Sequence, residues 1–153
     1  MLAMGLLCVS TPELVRALTP EVNFQLQCMG CHRRDGSGQP GRVPSFRRTL
    51  VPMSYLPQGR EFLIRVPGVA QAPLSDEDIA SLLNWMVRHM SDVSIRPGFK
   101  DYTPAEIHRE RARPLTAVHA ERIRVLCRIG AAFKTCTRTT HPPLAAAAVS
   151  ARR

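Results

Sequence analysis

Apolar positions along this chain recur mainly at helical spacing. The clearest case is "LSDEDIASLLNWMVRHM", residues 74 to 90, where Ile79, Leu82, Leu83 and Met86 form a core-facing stripe. Ser75 stands where a cap is needed, and Asp76, Glu77 and Asp78 fill the first turn, where negative charge suits the helix dipole. An earlier helix starts at Thr19-Pro20-Glu21 and runs towards Cys28. The same start signal returns in "YTPAEIHRER" as Thr103, Pro104 and Glu106. It is followed by "LTAVHAERIRVLCRI", with an apolar face of Val118, Ile123, Leu126 and Ile129. From residue 33 to 73 glycine and proline break every run, which leaves room for one short helical piece around Gly59 to Arg65. No internal repeat is found.

The two ends read differently. "MLAMGLLCVS" is an apolar run as long as a signal-peptide core, and Val15 and Ala17 occupy small-residue positions suited to cleavage. It is either an export signal whose charged start lies upstream or an ordinary buried segment, and it is too short to span a bilayer. No transmembrane helix is predicted elsewhere. From about Gly130 the chain is basic and alanine-rich without periodicity, as a mobile tail would be. The expected organisation is a leader at 1–17, one compact domain at 18–92, a helical extension at 93–130 and a tail at 131–153.

Composition changes this picture in two ways. Aromatic residues are only 5% of the chain and prolines number 13, so a core of side chains alone would be thin and some other apolar body is expected. Lys+Arg exceeds Asp+Glu by 21 to 12, almost entirely as arginine, which suits an anionic partner. Nucleic acid is disfavoured, because no stacking aromatics, zinc-finger spacing or helix-turn-helix pattern accompanies the charge.

The chemistry lies in Cys28-Met29-Gly30-Cys31-His32, a C-x-x-C-H pattern. Two thiols at this spacing suit the two vinyl groups on one porphyrin edge, and the next residue supplies an imidazole for iron. A structural zinc site would need two more ligands, and Cys127 and Cys136, nine apart, do not supply a second C-x-x-C. A thioredoxin-like dithiol would be followed by a helix, whereas Gly36, Gly38 and Pro40 follow here. Five cysteines in irregular positions do not read as a disulfide framework.

Over residues 19 to 90 the chain resembles the class I c-type cytochrome family. The landmarks come in order: a short helix with Phe24 before the C-x-x-C-H motif, then "GRVPSF", then the helix carrying Trp85. The resemblance implies an all-α, cytochrome c-like haem domain with a short C-terminal helical extension, and haem c attached at Cys28 and Cys31. It implies His32 as iron ligand, Pro44 as the carbonyl that anchors the imidazole, and Phe24 packed on Trp85. Anchoring the second imidazole nitrogen fixes tautomer and ring orientation.

The sixth ligand departs from the family pattern. The family takes a methionine from the loop before the last helix, but that stretch reads "VPGVAQAPLSD". Met53 is the leading candidate, with Met86, Met90, Gln71, a histidine, water or an open position as alternatives. A thioether favours outer-sphere electron transfer, whereas an open site would admit small ligands. The expected function is a single-haem electron carrier in the bacterial periplasm, serving a dehydrogenase or respiratory partner with an acidic docking surface. The alternative is a haem protein with an open or displaceable sixth site, acting as a gas sensor or peroxidase-like enzyme. Arg33, Arg34, Arg42, Arg47, Arg48, Arg60 and Arg65 are candidates for propionate contacts or the docking face.

Overall fold

The computed structural model describes residues 18–130 and Cys136. The leader expected at 1–17 and nearly all of the tail expected at 131–153 lie outside them. Among the described residues the chain is all helical, with a single isolated bridge between Gln39 and Val43. None of these helices is long and apolar enough to cross a membrane.

Three helices start where local chemistry says they should. Helix α1 spans Pro20–Gln27, and the Thr19 side chain accepts from the Val22 amide at 3.3 Å. After α2 (Met29–His32), α3 (Leu50–Ser54), α4 (Pro57–Arg65) and α5 (Pro67–Ala70) comes α6 (Asp76–His89), with the Ser75 hydroxyl accepting from the Asp78 amide at 3.0 Å. Helix α7, Pro104–Arg111, is capped by Thr103 onto Glu106, and α8 spans Val118–Arg128. The short helical piece expected at Gly59 to Arg65 is the body of α4. Helices α3 and α5 lie in what reads as loop. They are five and four residues long and carry Pro52 and Pro67, so burial of Leu50, Val51 and Ala70 holds them more than propensity does.

The main core joins α1, α3, α4, α6 and α7 through Phe24, Leu50, Ile64, Ile79, Leu83 and Ile107. Phe24 meets Trp85 at 6.0 Å between ring centroids, so α1 crosses α6 through the expected aromatic pair. A second cluster packs Met53 and Phe62 against Val125 and Leu126 of α8. The buried stripe of α8 therefore includes Val125, while Ile123 and Ile129 are only half-buried. The pattern alone does not show which side of this helix faces α4.

Arginines tie the elements together. The Arg60 guanidinium donates to both Glu106 oxygens, at 2.7 and 2.6 Å, and to the Lys100 carbonyl, and lies 3.9 Å from the Tyr102 ring centre. Arg111 donates to the carbonyls of Ala70, Ala72 and Leu74 and to Asp76, satisfying the end of α5 and the turn beyond it. Cys127 and Cys136 are joined as a disulfide, one bond where the irregular cysteine positions did not read as a disulfide framework. A pair nine residues apart has no distinctive sequence signature. Its Cα atoms lie 5.5 Å apart, and it ties Cys136 to the last turn of α8.

Candidate functional site

The turn from α1 into α2 builds the site. Cys28 closes α1 by donating its amide to the Phe24 carbonyl at 2.9 Å, and the amides of Cys31 and His32 both return to the Cys28 carbonyl. This tight turn sets Cys28, Cys31 and His32 against one cavity of about 360 Å³. Its remaining walls are mostly apolar: Val43 and Phe46 from the following loop, Leu50 and Met53 from α3, Leu63 from α4, Leu82, Leu83 and Met86 from α6, and Val118 from α8.

The loop after the motif is shaped by glycine. Gly38 has φ +71°, and a Cβ there would come within 2.9 Å of the Pro44 carbonyl oxygen. Gly36, at φ +74°, sits under the Phe46 ring, which lies 5.1 Å from the His32 ring. Pro44 thus lines the same cavity as His32. The hydrogen bond expected between them is not made: Nδ1 of His32 is buried with no partner among the described residues. Packing on Phe46 sets the orientation of the ring here. Burial also lowers the His32 pKa and pushes the Cys28 thiol up to about 11. A thiol so raised stays protonated at neutral pH, the reverse of the activated cysteine in a dithiol oxidoreductase.

Of the candidates for the sixth position, Met53 and Met86 line the cavity, while Met90 and Gln71 do not. Met53 is expected in a loop but lies on α3 and is only 2% exposed. The histidines elsewhere are engaged differently: His89 stacks on Trp85, with Nδ1 2.8 Å from the Trp85 carbonyl, and His108 meets Asp76 at 3.0 Å.

The arginines divide. Arg47 pairs with Asp92 and Asp35, Arg60 with Glu106, and Arg65 donates to the Arg113 carbonyl, so these three serve the fold. Only Arg42 of the seven reaches the cavity. It is joined by Arg122 of α8, which sequence reasoning passed over because it lies eighty residues beyond Arg42 in a helix that reads as an appendage.

A buried imidazole nitrogen without a partner among the described residues, two thiols on the same wall and an apolar chamber form a donor set that fits a covalently attached porphyrin. Fold and site together define a haem protein of the attached type, and the chain belongs to the class I c-type cytochrome family, whose cofactor is haem c. It is 34% identical over 108 residues to cytochrome c-552 of Thermus thermophilus, a match that takes in 59% of this chain and 82% of that protein. A cytochrome c-552 from a named strain of the same organism gives the same identity, over 59% of this chain and 73% of its own length. The chain matches no protein-family model and no solved structure.

Proposed function

We propose that this cytochrome is a single-haem electron carrier working between a dehydrogenase or respiratory partner and the next carrier, in the bacterial periplasm. The observation that carries the reading is the placement of Cys28, Cys31 and His32 on one cavity wall, with Nδ1 of His32 buried and without a partner among the described residues. Haem c supplies a one-electron iron couple. Cys28 and Cys31 are the attachment thiols, and His32 is the proximal ligand. With one imidazole nitrogen on iron the other keeps its proton, and the Pro44 carbonyl at the same wall is the acceptor that would fix the ring.

Met53 is the sixth ligand in this reading, because its thioether is buried on the cavity wall outside the α1–α6 core that holds Met86. Methionine paired with histidine raises the iron potential and leaves no open position, as an electron carrier requires. Residues 18–92 form the haem-binding part and 93–130 an extension that packs back on it. Arg33, Arg34 and Arg42 are exposed without a carboxylate partner among the described residues, and they offer an acidic redox partner a docking face beside Cys31.

Replacement of both Cys28 and Cys31 by alanine tests the attachment. Haem in the double variant is expected to leave on extraction with acidic organic solvent, whereas the unsubstituted protein keeps it. Covalent retention in the variant would refute the assignment.

A further inference from the structure

Among the described residues, only two that line the haem cavity carry a permanent charge, Arg42 and Arg122, and no carboxylate lines it. Arg42 is exposed on a loop. Arg122 is half-buried on α8, one turn beyond Val118, which lines the same cavity. Its neighbours Glu121 and Arg124 pair with each other, but the Arg122 guanidinium meets no carboxylate among the described residues. Desolvation pulls its pKa below the ordinary arginine value without discharging it. A half-buried cation without a partner is costly, and an anion delivered into the cavity would relieve that cost.

Helix α8 is firmly placed. Val125 and Leu126 pack on Met53 and Phe62, and the approach to the helix is fixed by the Leu115 amide on the Arg65 carbonyl at 2.8 Å. We infer that Arg122 is the counter-ion of one haem propionate, which makes α8 a wall of the haem site. This rests on the reading that haem is attached at Cys28 and Cys31. A propionate is a carboxylate, and the forked guanidinium is the side chain best shaped to hold one. The haem therefore brings the anion that the polypeptide lacks here, and the C-terminal extension contributes to the iron potential.

The test uses holo-protein matured with haem-attachment machinery, as the unsubstituted chain and as R122Q, R122M and R122K. The midpoint potential is followed from about pH 5 to about pH 9, a range that brackets a shifted carboxylate. Loss of the cation favours the ferric state, so both neutral variants are expected to shift to lower potential with haem still attached. Their propionate, without its partner, ionises at higher pH, so the pH-dependent part of the potential moves towards neutrality. R122K restores most of both properties, and R122M keeps the apolar stem so that folding is preserved. Wild-type potentials at every pH in a neutral variant that retains haem would overturn the inference. So would an R122K shift as large as that of the neutral variants, which would mean packing alone. Absence of covalent haem from the unsubstituted chain is a different result, and it overturns the parent reading together with this one.

Discussion

Met53 is buried to 2% exposure, yet it stands on the cavity wall, so its part in the core and its proposed iron ligation can be tested separately. As a core side chain, its truncation in Met53→Ala costs about 2–5 kcal/mol of stability. As an iron ligand, its loss lowers the reduction potential and opens the iron to added ligands. Redox titration with and without imidazole separates the two, and an unchanged potential and spectrum in a merely less stable variant would remove Met53 from the iron. At this scale the motif residues were legible, because Cys28, Cys31 and His32 are contiguous and their turn is local. Met53 could be singled out only as the one methionine between the motif and α6. Arg122 could not be found at all, since its place depends on how α8 packs on α4.

Helices α3 and α4 meet backbone to backbone: a Cβ on Gly59 would collide with the Met53 carbonyl oxygen. Gly59→Ala is therefore expected to destabilise the fold by about 1–3 kcal/mol, measured by denaturant unfolding, and an unchanged unfolding midpoint would contradict this contact. The joint between α6 and α7 adds ion pairs to the apolar contact of Ile107 with the α6 core. Asp76 accepts from Arg111 and from His108, each at 3.0 Å, and the Arg111 hydrogen bond chiefly holds its carboxyl below the ordinary value of 3.8. A lowered folded pKa adds stability that is present above the ordinary carboxylate value and is lost as pH falls through the folded one. The stability gap between the parent chain and Asp76→Asn should thus be full at neutral pH and close below about pH 4. A gap independent of pH would show that Asp76 acts through something other than its charge. Elements with caps were readable: α1, α6 and α7 announce themselves through Thr19, Ser75 and Thr103. Helices α3 and α5 have no side-chain cap, and the buried side of α8 is chosen by its neighbours.

For the whole molecule, the scarcity of aromatic residues, 5% of the chain, fits a core organised around haem c. The formal charge of +9 was plain in the composition, but its distribution was not. Arg47, Arg60, Arg65 and Arg111 secure loops and helix ends, Arg33 and Arg34 stay free of carboxylates among the described residues, and Arg42 and Arg122 face the cavity. The all-α architecture and the turn that carries the C-x-x-C-H motif were thus readable. The disulfide between Cys127 and Cys136 and the closing of the cavity by α8 come from tertiary packing that no local pattern encodes.

Ligation by both His32 and Met53, as proposed, would leave the iron six-coordinate with no vacant position. The absorption spectrum of the matured protein, oxidised and reduced, with and without carbon monoxide, reads that coordination state at once. The expected result is a low-spin spectrum that carbon monoxide leaves unchanged, with the weak methionine-to-iron charge-transfer band in the oxidised form. A high-spin spectrum that shifts with carbon monoxide would contradict it, and would make this chain a ligand-binding or peroxide-reactive haem protein instead.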